Sequence, residues 1–197
     1  KLLSRVPSIA HGFEDPRATV GDDLFRCHQV HSACVETLAG ESADELRARK
    51  ADGIVTASGE RVGVQTADCL PVLLASRSGS HVAAVHAGWR GLNQGILART
   101  IERFTALGVA PGDLVVAIGP AIGPCCCEGN REGGDAFEKE WGRLWRDVTD
   151  RPWHQGQRES ANPNRTQSPI SENDLWISLE KIARLQLVDG GVPDAQI

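Results

Sequence analysis

Two histidines and one cysteine, His31, Cys69 and His86, lie where the sequence pattern predicts that β-strands end or break. Two imidazoles and one thiolate suit zinc, whose catalytic sites use three protein ligands and leave a fourth position to water or substrate. The three residues are far apart in the chain, so only folding can bring them together. A lone cysteine in a β-rich segment is also typical of a small buried apolar residue, and a lone histidine of an ordinary polar one. The residue types therefore indicate zinc and leave a structural role open.

The segment that leads to Cys69 is polar within an otherwise apolar stretch. It contains Gln65, Thr66 and Asp68, and burying such groups without partners costs about 1–3 kcal/mol each. Pro71 has no N–H to offer a strand pair, so we expect the strand to bulge or break around Cys69. The segment is therefore predicted to belong to a site.

Residues 88–91, Gly-Trp-Arg-Gly, follow a strand and open a helix. Backbone N–H groups at a helix start, with the Arg90 guanidinium beside them, form a plausible anion site for phosphate or a developing negative charge. A tight turn with Trp89 packed and Arg90 solvated fits the same residues equally well.

Three consecutive cysteines, Cys125, Cys126 and Cys127, follow a loop shaped by glycine and proline. They can be metal ligands, a nucleophile or packing residues. Adjacent residues of an extended chain point to opposite faces, so at most one or two can enter a common site. Packing is the favoured interpretation, and the six cysteines of the chain are expected to be reduced.

The elements that must position these residues alternate between strand and helix. We expect a strand over residues 25–35 that carries His28 and His31, and a helix over residues 42–50 with Ser42 as N-cap and Glu45 completing a capping box. Further strands are predicted at residues 54–56, 61–74, 81–85 and 114–118. The three candidate ligands then all fall at strand ends or breaks.

The second half of the chain is predicted to be mainly helical. Apolar spacing indicates a helix over residues 92–107 that ends at Gly108, and another over residues 134–148. Residues 150–173 are polar and are interpreted as an exposed loop. Asp174 is expected to cap a last helix whose inward residues are Leu175, Leu179, Ile182 and Leu185. Residues 1–197 are interpreted as one domain.

Composition excludes several classes of function. The net charge of −5 at pH 7 offers no positive field for a phosphate backbone, so a nucleic-acid partner is not expected. No apolar run approaches the roughly 20 residues that cross a bilayer, so no membrane partner is expected either. A cytoplasmic location is therefore the prediction.

Five segments together resemble the YfiH-like laccase-domain, or polyphenol oxidase, family. The similarity runs from His11 to the last predicted helix. The segments are QVHS at 29–32, ADGIVT at 51–56, TADCLPVL at 66–73, VHAGWRGL at 85–92 and IGPAIGPCC at 118–126. The family is regarded as purine nucleoside phosphorylases with adenosine deaminase activity.

The resemblance implies an α/β (α+β) fold, a four-layer αββα sandwich similar to the cytotoxic necrotizing factor catalytic domain. It implies that His31, Cys69 and His86 are the metal ligands and catalytic centre. The implied cofactor is Zn²⁺, with Cu²⁺ as a second possibility. The implied reactions are phosphorolysis of adenosine, inosine, guanosine and methylthioadenosine, and deamination of adenosine.

Substrate contacts are expected from Arg17, Gln65, Asp68 and Arg90. Arg17 only loosely matches an arginine that the family places near its substrate, Arg90 would hold phosphate and Asp68 would move protons. The partners would be a purine nucleoside and phosphate, with the protein a monomer or homodimer. Cys127 departs from the family's usual aromatic residue, and the chain ends at Ile197 where relatives continue, so the family's C-terminal segment is expected to be missing.

The number of histidines in the chain shows whether it could hold the copper centre that the family's oxidase name suggests. Laccase-type copper centres need about ten histidines, and this chain has six, so it cannot supply a four-copper centre. Three other functions stay open: a metal-free hydrolase with Cys69 as nucleophile and His86 as its base, editing of cell-wall precursors, and a single-copper polyphenol oxidase.

Overall fold

The computed structural model describes residues 2–6, 9–14, 24–57, 59–123, 127–129 and 175–197. The chain forms two compact units, one made of Lys1–Ile122 with Leu179–Ile197 and the other of Gly123–Ser178. Among the described residues, all helices and the larger sheet belong to the first unit. The interpretation of the whole chain as one domain stays a prediction.

A five-stranded sheet forms the centre of the first unit. Its strands are β1 (Val35–Thr37), β2 (Gly53–Ala57), β3 (Leu70–Ser76), β4 (His81–Ala87) and β5 (Leu114–Ile118). The order across the sheet is β1-β2-β4-β3-β5, with β1 and β2 parallel and every other pair antiparallel. β2, β3 and β4 are buried along most of their length, because their near-continuous apolar runs need cover on both faces.

The helices of the first unit are α1 (Ala43–Ala48), α2 (Trp89–Asn93), α3 (Ile96–Ala106) and α4 (Leu179–Asp189). α3 buries an apolar face that contacts β1, β2 and β4, and α4 packs against α2 and α3. Buried Gln186 of α4 donates from Nε2 to the Leu92 carbonyl at 2.8 Å. This mixture of helices and one mixed sheet confirms the predicted α+β class. None of the helices in the described residues is both long and apolar enough to cross a bilayer.

Local sequence signals predicted several element ends correctly. The Ser42 hydroxyl accepts the Glu45 N–H at 3.3 Å while the Glu45 carboxylate accepts the Ser42 N–H at 2.8 Å, so the expected capping box is present. Gly108 follows α3 with φ +81°, a backbone conformation that favours glycine. β3 begins only at Leu70, so the predicted break around Cys69 is present.

The predicted strand over residues 25–35 is wrong. Phe25 and His28 form only single bridges, to Val62 and Lys50, and regular pairing begins at Val35. The backbone N–H groups of residues 30–32 donate to the Asp52 carboxylate instead of to a neighbouring strand. His31 therefore lies in a loop.

Two predicted helices differ from the structure. The helix expected over residues 92–107 is divided into α2 and α3, because Gly95 adopts φ +79° between them. The last helix begins at Leu179, since Leu175 lies in a short strand, and Leu185 is half-buried rather than fully inward. Asp174, its expected cap, lies outside the described residues.

In the second unit the described residues form a short antiparallel pair, β6 (Glu128–Gly129) with β7 (Leu175–Trp176). The Ile177 N–H donates to the Cys127 carbonyl at 3.1 Å. The helix predicted at residues 134–148 and the loop predicted at residues 150–173 lie outside the described residues.

Candidate metal centre

The pairing of β3 with β4 brings Cys69 and His86 to one end of the sheet. Cys69 directly precedes β3, and His86 is the last residue but one of β4. Leu70 pairs with Ala87, so the same register continued by one residue places Cys69 beside Gly88. This arrangement uses the antiparallel ladder to join two residues that are distant in sequence.

His31 reaches the same end of the sheet from a loop. Its φ of 60° is the only positive value at a non-glycine position in the described part of the chain, and such a conformation costs about 1–3 kcal/mol. The Asp52 carboxylate holds this loop, because it accepts the His31 N–H at 2.9 Å and the Ser32 N–H at 2.6 Å. Asp52 directly precedes β2, so the loop is fastened to the sheet.

The structure gathers the three candidate ligands around one point. The ligand atoms of His31, Cys69 and His86 all lie within 4.8 Å of one another. Cys69 Sγ is 3.8 Å from His31 Nε2, and the two imidazole rings meet edge to face with centroids 4.8 Å apart. His86 is buried, Cys69 is half-buried and His31 is exposed, so the cluster is closed toward the protein and accessible from solvent.

This donor set fits zinc. Ligand atoms bound tetrahedrally at the usual zinc–nitrogen and zinc–sulfur lengths lie roughly 3.3–3.7 Å apart. The 3.8 Å separation of Cys69 Sγ from His31 Nε2 is close to that range, and side-chain shifts of about 1 Å bring the widest separation into it. Two imidazoles and one thiolate also leave one tetrahedral position for water or substrate.

Asp52 fixes which nitrogen of His86 faces the cluster. Burial raises the pKa of Asp52, but hydrogen bonds from His86, Ser32 and His31 outweigh burial and hold that pKa below its ordinary value. Because the ionised carboxylate has no proton to give, His86 Nδ1 is the donor across the 2.8 Å contact. His86 Nε2 then carries the lone pair that a metal binds.

The Cys69 thiol is not activated by the protein alone. Burial raises the pKa of Cys69, and the negative charges of Asp68 and Asp52 raise it further. A cysteine nucleophile needs the opposite shift, so this environment disfavours a metal-free Cys–His hydrolase. A thiol that coordinates a cation is deprotonated, so the same surroundings suit a metal ligand.

Gly88 allows the cluster to be compact. A Cβ at this position would lie 2.9 Å from Cys69 Sγ and 3.2 Å from His31 Cδ2. The first distance is shorter than real Cβ contacts, so any side chain here would displace two of the three candidate ligands. A glycine at position 88 is thus explained by the close approach of Cys69 and His31 to its backbone rather than by a turn.

The other predicted site residues have contacts of their own. The Gln65 backbone pairs with the Gln29 side chain through two hydrogen bonds, of 2.7 and 2.8 Å. Asp68 is exposed, and its carbonyl accepts the Ile122 N–H at 3.0 Å. The exposed Arg90 guanidinium lies 4.8 Å from the centroid of the Trp89 ring. Their roles toward a substrate stay predictions.

Two further predictions lie wholly or partly outside the described residues. The first is the substrate contact from Arg17, and the second is the packing of the three cysteines, of which Cys125 and Cys126 lie outside the described residues. Cys127 is half-buried and donates its backbone N–H to the Gly123 carbonyl at 3.0 Å. The packing interpretation of the three cysteines therefore stays a prediction.

Asp52 is the residue that sequence reasoning missed. Its Ala-Asp-Gly context is typical of a turn that ends the preceding helix, although its side chain is wholly buried. The only available signal was an aspartate placed directly before a strongly apolar strand, and an aspartate beside glycine fits a turn equally well.

The fold and the cluster define an α+β protein with a mononuclear His–Cys–His metal centre as its candidate site. Residues 15–197 match the family described as "Multi-copper polyphenol oxidoreductase laccase". The chain belongs to this laccase-like family, which its sequence motifs resemble.

Curated relatives carry the name purine nucleoside phosphorylase. The chain is 41% identical over 139 residues to one from Pseudomonas aeruginosa, covering 65% of this chain and 54% of the relative. It is 32% identical over 179 residues to purine nucleoside phosphorylase YlmD of Geobacillus stearothermophilus, covering 87% and 59%. The chain thus spans little more than half the length of these relatives.

Solved structures agree with the fold. The crystal structure of YlmD from Geobacillus stearothermophilus has a TM-score of 0.67 at 32% identity, and covers 89% of this chain and 62% of that one. The Bacillus licheniformis hypothetical protein YfiH has a TM-score of 0.73 at 27% identity, with the same two coverages.

Proposed function

We propose that this chain is a zinc-dependent enzyme of purine nucleosides, which phosphorolyses adenosine, inosine, guanosine and methylthioadenosine and deaminates adenosine. The observation that carries the proposal is the cluster of His31, Cys69 and His86, whose ligand atoms lie within 4.8 Å of one another. The relatives' shared name, purine nucleoside phosphorylase, supports the substrate class.

His31, Cys69 and His86 would hold the zinc ion. When bound, zinc supplies a Lewis acid that activates water or polarises a substrate oxygen or nitrogen. The thiolate of Cys69 contributes the one negative charge among the three ligands, and the exposed His31 marks the side from which substrate enters. Copper binds similar imidazole and thiolate sets, so the choice of metal is part of the test.

Arg90 is proposed to bind phosphate. Its guanidinium is exposed and lies over the Trp89 ring, and Gly88 two residues earlier packs against the cluster. A guanidinium can bind two phosphate oxygens at once, which orients phosphate for attack. In phosphorolysis, a phosphate oxygen bonds to C1′ of the ribose as the bond from C1′ to the purine nitrogen breaks, giving ribose 1-phosphate and the free base.

Asp68 is proposed to hold or move a proton at its carboxylate. It is exposed and directly precedes Cys69, so it lies beside the cluster without being a candidate ligand. In deamination, water adds to C6 of adenosine and ammonia leaves, which requires one proton to move from water to the departing nitrogen. Gln65 and Arg17 are proposed further contacts to the nucleoside.

Product analysis tests the function directly. Purified protein is incubated with inosine, with and without phosphate, and with adenosine without phosphate. We expect hypoxanthine and ribose 1-phosphate in equal amounts only when phosphate is present, and inosine with ammonia from adenosine. Absence of both base and ammonia contradicts the proposal. Hypoxanthine released without phosphate would contradict phosphorolysis and indicate hydrolysis.

Metal exchange tests the cofactor separately. Chelator-treated protein is reloaded with Zn²⁺ or Cu²⁺, and each form is assayed with inosine and with a catechol. We expect zinc to restore nucleoside cleavage. Catechol oxidation by the copper form, with no nucleoside cleavage by the zinc form, would support the single-copper polyphenol oxidase instead.

A further inference from the structure

One oxygen of Asp52 contacts both histidines of the candidate metal centre. Asp52 Oδ1 accepts His86 Nδ1–H at 2.8 Å and the His31 backbone N–H at 2.9 Å. Asp52 Oδ2 accepts the Ser32 N–H at 2.6 Å and the Ser32 hydroxyl at 2.7 Å, and the Val30 N–H lies 3.3 Å away. The carboxylate side chain has 0% exposure, so water does not compete for these bonds.

We propose that Asp52 is a positioning residue that joins the two histidine ligands and sets both the affinity and the geometry of the metal centre. The inference rests on the metal-dependent function proposed above. A histidine ring without a hydrogen bond can rotate about its Cα–Cβ and Cβ–Cγ bonds. The hydrogen bond from Nδ1 to Asp52 fixes the ring plane of His86 and leaves Nε2 for the metal.

The same carboxylate acts on His31 through the backbone. His31 has φ 60°, which a non-glycine residue keeps only when its surroundings hold it. Bonds from Asp52 to the N–H groups of His31 and Ser32 supply that restraint on both sides of the residue. One buried charge thus restrains two ligands that are 55 residues apart in sequence, the difference between positions 31 and 86.

A carboxylate is required here because only donors surround it. The five groups that face Asp52 are the N–H groups of Val30, His31 and Ser32, the Ser32 hydroxyl and His86 Nδ1. An asparagine side chain has the same shape as an aspartate, but an NH₂ donor replaces one of the two acceptor oxygens. Whichever way it turns, the NH₂ group opposes either the histidine pair or the Ser32 pair.

The test compares Asp52→Asn with Ser32→Ala as its matched control. Ser32→Ala removes the hydroxyl bond to Oδ2 and keeps both bonds on Oδ1. Zinc affinity is measured by competition with a chromophoric chelator, and geometry by the visible absorption of the Co²⁺-loaded protein. We expect zinc binding by D52N to weaken about 10–100-fold with altered cobalt bands. The S32A values should stay near those of wild type.

A folded D52N variant with wild-type zinc affinity and cobalt bands overturns the proposal. Should D52N fail to fold, the wild-type protein provides the test through ¹H–¹⁵N spectra of its histidine rings. The proposal expects the His86 proton on Nδ1 in the metal-free protein and again after zinc is added. A proton on Nε2 of His86 overturns it.

These outcomes separate this inference from the proposed function. Wild-type protein that binds zinc tightly but releases no base from inosine contradicts the nucleoside proposal, while weaker zinc binding by D52N still supports the role of Asp52. Wild-type nucleoside cleavage together with unchanged zinc binding by D52N supports the nucleoside proposal and contradicts the role of Asp52.

Discussion

The three candidate ligands are held by different means. His86 is buried within a strand and hydrogen bonded to a carboxylate, His31 is exposed and restrained through its backbone, and Cys69 is placed by the register of two strands. Cys69 is also the only one of the three that becomes an anion when it binds a metal. The thiolate would therefore contribute the largest electrostatic part of metal binding at this site.

Replacing Cys69 by serine should remove the bound metal. Serine keeps the size of the side chain but offers a hydroxyl that stays protonated, so we expect zinc to fall from about one ion per chain to near zero. Nucleoside cleavage should fall by at least about 100-fold. Metal content is measured by atomic emission after dialysis, with Cys34→Ser, an exposed thiol outside the cluster, as control. Full zinc content in C69S would contradict the ligand assignment.

Replacing Gly88 by alanine should disturb the cluster without removing a ligand. The new Cβ would lie 2.9 Å from Cys69 Sγ, so we expect zinc affinity to fall about tenfold or more. Gly112→Ala is the matched control, because a Cβ at Gly112 meets no atom within 4 Å. Equal zinc affinities of the two variants, measured by chelator competition, would show that the close approach does not matter.

The sequence offers the three candidate ligands, but it does not show that Asp52 holds two of them in place. Residue type and predicted strand ends make His31, Cys69 and His86 candidates, and the resemblance to the YfiH-like family singles them out from the other histidines and cysteines of the chain. Asp52 could not be selected, because its function depends on donors supplied by residues 30–32 and by His86 after folding.

At the scale of elements, α1 ends three residues before the buried Ala51–Asp52 pair, so its stability bears on the loop that holds His31. Ser42→Ala removes the hydroxyl that accepts the Glu45 N–H, and we expect a loss of about 1 kcal/mol in the free energy of unfolding. Ser42→Thr keeps a hydroxyl that can accept the Glu45 N–H and donate to the Glu45 carboxylate, so it should stay close to wild type. Urea unfolding midpoints measure both. An equal loss in both variants would indicate that capping is not the cause.

Element ends were predictable where one local interaction determines them. Ser42 with Glu45, and the left-handed Gly108, each specify a helix end within a few residues of sequence. The strand predicted over residues 25–35 was wrong because the alternating pattern fits a strand, whereas the backbone N–H groups of residues 30–32 donate to the side chain of Asp52. The division at Gly95 was missed because apolar spacing continues across it.

At the scale of the whole molecule, the family's name and the site's chemistry differ. The family is described as multi-copper, yet the described residues gather one cluster of three side chains that could hold a metal ion. Of the six histidines in the chain, two belong to that cluster. The α+β class is what the resemblance to the YfiH-like family implies, since alternating strands and helices by themselves are typical of α/β folds with a parallel sheet.

Ionisation of the buried Cys27 thiol gives a prediction for the stability of the whole fold. Burial raises the pKa of Cys27 from 9.0 to about 11, with the charge of Glu36 adding to the rise and that of Arg49 opposing it. Cys27 packs in the core with Leu46 and Ile54, where a thiolate would lose most of its contact with water. Between pH 9 and pH 11 the unfolded chain loses this proton while the folded chain keeps it, so stability falls as pH rises.

We therefore expect the wild-type free energy of unfolding to fall by about 2–3 kcal/mol more than that of Cys27→Ala between pH 8 and pH 11. The comparison with C27A is needed because other groups of the chain also lose protons at alkaline pH, and their contributions are common to both proteins. Urea unfolding at several pH values measures the two curves. Below pH 8 the difference between the proteins should be constant, since Cys27 is neutral in both states. Curves that stay parallel up to pH 11 would mean that the Cys27 thiol is no harder to ionise in the folded protein than in the unfolded chain.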